Sequence, residues 1–233
     1  MERGKNKIKL VKWGVVCFFI LIQVYLIFVN KHLNMDIDAA PNIKPTPHIM
    51  GDREISQTFT APRDNLSRIE VKMGTFGREN YKNVIFELGI PNKKVILQEV
   101  FNASDVKNNL YHSIRFSPQK KSKGKTYYFS LSSPESTLRN SICAWMNSRD
   151  IYRKGEYFLN GRAQGGDLVF RAYSLQPVSA VLGKLNRKYP GVLGSPVVLI
   201  LFLALFLIIQ IVVLVKLMDL LFQSVGSFMK KSE

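Results

Sequence analysis

The sequence predicts an all-β jelly-roll or β-sandwich ectodomain flanked by two transmembrane α-helices. Three observations carry this. Two long apolar runs without a charge lie near the ends of the 233-residue chain. Between them come nine short stretches in which apolar and polar residues alternate with period two. No long helical pattern interrupts those stretches, and turn-forming clusters separate them.

Residues 1–12 are basic, with Arg3, Lys5, Lys7, Lys9 and Lys12 against Glu2. They are expected as a cytoplasmic N-terminus by the bias of basic residues toward that side. Residues 13–29, WGVVCFFILIQVYLIFV, are uncharged and just long enough to cross a bilayer core. The polar NKHLNMD follows where a cleavable signal would carry small residues, so an uncleaved signal anchor is expected. Residues 30–51, with PNIKPTPHIM at their end, read as a Pro-rich, semi-rigid linker.

The β-domain is expected over 52–176. Its strands are ISQTFT (55–60), LSRIEVKM (66–73), NVIFELGI (83–90), VILQEVF (95–101), LYHSIRF (110–116), KTYYFSLS (125–132), SICAWMN (141–147), EYFL (156–159) and DLVFRAYSL (167–175). APRDN, GTFGREN, PNKK, SPQKKSKGK, SSPEST and NGRAQGGD lie between them as turns. Such even spacing favours two packed sheets. Residues 177–194 are a juxtamembrane connector. Residues 195–222 form the second span, opened by Ser195-Pro196 and carrying nineteen uncharged residues from Val197 to Val215. Residues 223–233 are expected as a cytoplasmic tail. The chain is thus expected in a cell membrane, with both termini cytoplasmic and the central domain outside.

The chain has 33 Lys and Arg against 17 Asp and Glu, a net charge of +16. The basic residues of the central region are dispersed, and the densest group, Lys120, Lys121, Lys123 and Lys125, falls in a turn. That pattern suits a solvated basic face near a membrane and argues against a nucleic-acid groove. Cys17 and Cys143 are expected on different sides of the bilayer surface, so no internal disulfide is implied.

No catalytic constellation appears. His32, His48 and His112 show no spacing to Cys or carboxylates that resembles a triad or a metal motif. His112 shares its strand face with Leu110, Ile114 and Phe116 and reads as a core-edge residue. No cofactor is expected. Structural calcium is an alternative, since Asp52, Asp64, Asn65 and Asp167 offer loop oxygens. The simpler reading of these residues is that they bend and cap turns. Asn65 and Asn102 also open glycosylation sequons.

Two sets of residues are candidates for contact. WMNSRDIYRKGEYFLNG (145–161) supplies the side-chain types that bind sugars: an aromatic face in Trp145 and Tyr152, an amide in Asn147, and Arg149 with Asp150. The competing reading is a packed turn held by a capping Asp. Gln23 and Gln210 each place an amide mid-span, where hydrocarbon offers no partner, and so are candidates for contact with another helix.

The run of Gln57-Thr-Phe59, NLSRIEVKMGTFGREN, VIFEL, SKGKTYYFSLSSPES, YRKGEYFLNG and GDLVFRAY resembles β-sandwich modules of bacterial envelope membrane proteins. These are similar to carbohydrate-binding, galactose-binding-like jelly rolls found in surface-polysaccharide and glycosyltransferase systems. The resemblance covers about residues 52–175 and carries no catalytic residue. The two-span layout is also similar to that of polysaccharide chain-length regulators, but their long ectodomain helices have no counterpart here. The resemblance implies a non-enzymatic glycan-binding or accessory protein in envelope polysaccharide or glycoconjugate assembly. Its expected partners are the membrane, a polysaccharide or glycolipid, and an integral-membrane glycosyltransferase or a second copy of the chain. The alternatives are an assembly subunit whose β-domain binds protein, and a glycan-processing enzyme.

Overall fold

A computed structural model describes residues 2–41, 44–93, 95–178, 180 and 196–231. Residues 33–175 form one compact unit, and the described residues of 1–32 and 176–233 form another.

The first unit is built on two antiparallel sheets, neither closed into a barrel. The seven-stranded sheet holds β1 (Lys31–Asp38), β2 (Lys44–Pro45), β4 (Leu66–Gly74), β7 (Leu110–Gln119), β9 (Cys143–Asn147), β12 (Asp167–Leu168) and β13 (Phe170–Pro177). Its order is β1-β13-β4-β9-β12, with β2 beside β9 and β7 beside β4. The six-stranded sheet runs β11 (Arg162–Ala163), β10 (Tyr157–Leu159), β3 (Ile55–Thr60), β8 (Thr126–Ser132), β5 (Asn83–Gly89), β6 (Val95–Asn102).

Alternation sets the registers. Ile69 and Val71 of β4 lie opposite Ile114 and His112 of β7, and Val71 lies opposite Phe170 of β13. Phe59 of β3 lies opposite Tyr127 of β8, and Phe129 of β8 lies opposite Gln57 of β3 and Leu88 of β5. Phe170 of the seven-stranded sheet meets Phe59 and Phe129 of the six-stranded sheet at ring-centroid distances of 5.7 and 5.4 Å. All three rings are fully buried. The two sheets therefore share one apolar core, and burying such large rings is the main stabilising term. His112 stacks on Phe101 of β6 at 4.0 Å at the edge of that core, as its strand face predicts.

All nine predicted strands are present. The last one is broken at Val169, where the chain leaves β9 and joins β4. Val169 N–H donates to the Trp145 carbonyl and its own carbonyl accepts from Lys72 N–H. The stretch read as a linker over 30–51 needs correcting, because it carries β1 and β2. Ile37, Ala39 and Ile49 are in the core, and Ile49 bridges Ile142. Asp38 pairs with Arg171 at 2.9 Å and Asp36 with Arg63 at 3.5 Å, so ion pairs also tie this stretch to the β-domain. The Asn160-Gly161 turn, with both residues at positive φ, joins β10 to the two-residue β11 inside a stretch read as turn alone.

In the second unit, α1 (Glu2–Val24) continues as a π-helical turn (Tyr25–Val29), and α2 spans Pro196–Lys231. The helices extend beyond the predicted spans, at the N-terminal end of the first and into the expected tail after the second. Lys9–Val29 and Ile200–Ser224 are each long and apolar enough to cross a membrane. Lys12 of α1 and Asp219 of α2 form an ion pair. Most of the predicted connector, with Lys184, Arg187 and Lys188, lies outside the described residues.

Candidate functional site

Ile142, just before β9, and Ala144 and Met146 on it belong to the core, and the alternation of the strand turns Cys143, Trp145 and Asn147 to the outer face. The residues that follow form a tightly held loop. Asn147 is 2% exposed; its amide donates to the Pro41 carbonyl at 3.0 Å and accepts from Arg149 N–H at 2.9 Å. Tyr152 donates its hydroxyl to the Thr60 carbonyl at 3.0 Å and packs edge-on against Phe170. The capping carboxylate is Asp167 of β12, which accepts from Ile151 and Tyr152 N–H, each at 2.8 Å. Asp150 and Arg149 are exposed. Gly155 lies so close to β3 that a Cβ would overlap the Thr58 carbonyl. Of the five residues singled out from sequence, Asn147 and Tyr152 spend their polar atoms on backbone groups. Trp145, on the same strand face as Asn147, packs against a different loop.

Trp145 belongs to a cluster that the sequence does not show. The β4–β5 loop folds Phe76 against it, with ring centroids 5.8 Å apart. Gly74 makes this possible, since a Cβ there would sit 2.7 Å from the Phe76 ring and 3.3 Å from the Trp145 indole nitrogen. Phe76 is 44% exposed and adopts φ +54, a conformation rare for a bulky residue. Asn108 holds it there by accepting from the N–H groups of Thr75 and Phe76 at 2.9 and 3.2 Å. Among the described residues, the buried Trp145 indole N–H has no hydrogen-bond partner.

Arg78 lies over the Phe76 ring, 5.4 Å from its centroid. Its Nε donates to the Ser141 carbonyl at 2.9 Å, and Nη2 reaches the Cys143 sulfur at 3.8 Å. His48 Nδ1 is 3.0 Å from the Ser141 hydroxyl and 3.6 Å from Cys143 Sγ. Arg53 Nη1 donates to the His48 carbonyl at 3.2 Å. Burial, then Arg78, then Arg53 hold the His48 imidazole below its ordinary range, so it is neutral at pH 7 and Nδ1 can accept the Ser141 proton. Burial pushes the Cys143 thiol up, against the pull of Arg78 and Arg53, which makes it a poor nucleophile. His48 and Cys143, far apart in sequence, thus meet in space. Cys143 is buried, but beside polar groups and not among the apolar core.

The outer face also carries two arginine–tyrosine stacks. Arg68 lies 3.8 Å from the Tyr173 ring centroid and Arg171 lies 4.0 Å from that of Tyr111. Tyr173 donates to Glu70 at 2.6 Å, and Arg171 pairs with Asp38. These arginines are neutralised by carboxylates.

Among the described residues, no three His, Cys, Asp or Glu side chains converge as a metal site. Of the calcium candidates, Asp167 serves backbone donors and Asp64 accepts from Lys123 N–H, while Asn65 takes positive φ in a turn. In the helical unit, Gln23 and Gln210 line one groove of about 450 Å³ between α1 and α2, with Ile20, Ile27, Leu203 and Leu207. Compared with known proteins, the chain matches no family model and no curated sequence.

Proposed function

We propose that this chain is a membrane-anchored, non-enzymatic glycan-binding accessory protein of a cell envelope, with a β-sandwich of jelly-roll type as its binding module. The observation that carries this reading is the Phe76–Trp145 pair with Arg78 beside it. An exposed ring held beside an indole offers a flat apolar surface for the C–H face of a sugar. An adjacent guanidinium offers donors for its oxygens. The raised thiol pKa, the lowered imidazole pKa and, among the described residues, the absence of a carboxylate paired with Arg78 favour binding over turnover.

The anchoring reading draws on the two apolar helices and on the five basic residues before the first, which favour a cytoplasmic N-terminus. The Lys12–Asp219 pair joins the start of one helix to the later part of the other, which favours both termini on one side. The domain between them would then be extracytoplasmic. Anchoring raises its effective concentration near a membrane enzyme or a nascent polymer, so weak sugar contacts suffice.

A glycan array probed with the full chain in nanodiscs tests this. Saturable binding that Phe76→Ala and Trp145→Ala each reduce about tenfold or more is the expected result, in line with the value of a central aromatic contact. Binding unaffected by both changes would remove the site, and no binding would remove the function.

The second reading, an assembly subunit, is favoured by Gln23 and Gln210 lying in one groove. Two amides facing a shared apolar groove in hydrocarbon suit a third helix that carries a polar group.

A further inference from the structure

Among the described residues, Arg63, Arg68 and Arg171 each pair with a carboxylate. Arg53 and Arg78 form no ion pair there, yet both reach the same His48–Cys143 pair. Their bonds are to neutral acceptors: the His48 carbonyl for Arg53, and the Ser141 carbonyl and Cys143 sulfur for Arg78. Such bonds orient a guanidinium without neutralising it. Arg78 Nη1 and the second terminal nitrogen of Arg53 have no hydrogen bond among the described residues. Both side chains are partly buried, as is His48.

Two guanidinium groups, one on the His48 carbonyl and one on Ser141 and Cys143, with neither paired to a carboxylate among the described residues, leave a concentrated positive charge that an anion would offset. Guanidinium forks match carboxylate and phosphate oxygens. The neighbouring Phe76 ring is exposed and held in a conformation that costs free energy, a mark of a ligand-contact position.

We infer that Arg53, Arg78 and His48 form an anion subsite beside the Phe76–Trp145 pair, and that the ligand is an acidic sugar bearing a carboxylate or phosphate. The sugar ring stacks on Phe76 while its anionic group takes the free guanidinium N–H groups. This rests on the glycan reading and adds the charge to it.

The test uses the full chain in nanodiscs of zwitterionic lipid. Calorimetry compares uronate-bearing oligosaccharides with their carboxyl-reduced counterparts, and phosphate-bearing oligosaccharides with their dephosphorylated forms. The expected result is about tenfold tighter binding of the acidic member of a pair, weakened by salt. Which pair shows it identifies the anion. Arg78→Gln and Arg53→Gln should each erase the preference, while Arg78→Lys should keep part of it. Equal affinity of the wild-type chain for acidic and neutral members overturns the anion subsite and leaves the glycan reading standing. Binding of neither sugar overturns both, and capture of phosphatidylglycerol vesicles by the nanodisc-held chain through the same two arginines would then assign the surface to lipid headgroups.

Discussion

The Gln57 amide donates to the Asp167 carboxylate at 3.0 Å, and both side chains are wholly buried. The Gln57 oxygen accepts from Leu168 N–H at 2.8 Å, and the second Asp167 oxygen accepts from Ile151 and Tyr152 N–H. One amide on β3 and one carboxylate on β12 thereby tie the six-stranded sheet, the seven-stranded sheet and the 147–156 loop together. Asp167→Ala removes the acceptor of two backbone N–H groups and one of the two acceptors of the Gln57 amide, which keeps its bond to the Thr58 carbonyl. A loss of about 3 kcal/mol is expected in urea unfolding of the full chain in detergent. A loss within 0.5 kcal/mol, roughly the scatter of a surface change, would mean that the loop is held by other contacts.

Gly155 and Gly161 make a matched comparison. A Cβ at Gly155 overlaps the Thr58 carbonyl, so Gly155→Ala must displace β3 backbone. Gly161 has open space but φ +72, so Gly161→Ala carries only a conformational cost of about 1 kcal/mol. Thermal unfolding should rank Gly155→Ala clearly below Gly161→Ala, with a loss above about 2 kcal/mol. The opposite order would refute the close approach of the loop to β3.

His48 makes stability depend on pH. Its surroundings are Ser141, Cys143, Arg78 and Arg53, and its folded pKa lies below the unfolded one. The unfolded chain therefore binds more protons between the two values, and stability rises with pH there. The contribution is present above the ordinary His range and is lost as pH falls through the folded pKa. His112, held down chiefly by burial, adds a slope of the same sign. Melts from pH 5 to 8 should show this decline on the acid side. His48→Gln should flatten part of it and leave the His112 part. An unchanged slope would mean that His48 does not stay neutral on folding.

Gln23→Leu and Gln210→Leu test the groove between the helices. If the amides serve a further helix, each change should shift the chain toward smaller assemblies on native gels in mild detergent, by about 1 kcal/mol of association per amide. The double variant should do so more strongly. Unchanged mobility of the double variant would leave the groove to lipid and remove the main support for the assembly reading.

The strands were legible because each buries one face, and burial of one face writes a period of two into LSRIEVKM and NVIFELGI. β1 was not legible. KHLNMDID and the prolines after it look like a spacer until Arg63 and Arg171 are seen to pair with its two Asp residues. Trp145 could be picked out as an aromatic on a strand. Its companions could not, because Phe76, Arg78, His48 and Arg53 come from other loops. They reach it only through the pairing of Gly74 with Cys143 and of β2 with β9.

By itself the sequence determined the two apolar helices, the nine strands and the basic N-terminal segment, since length, charge and periodicity are local properties. The tertiary structure alone decided which carboxylates neutralise which arginines. Asp36, Asp38 and Glu70 serve Arg63, Arg171 and Arg68, while Arg53 and Arg78 are left with neutral acceptors beside an exposed aromatic pair. Ion pairing and stacking act over a few ångströms in space. Strand register, not position along the chain, sets those distances.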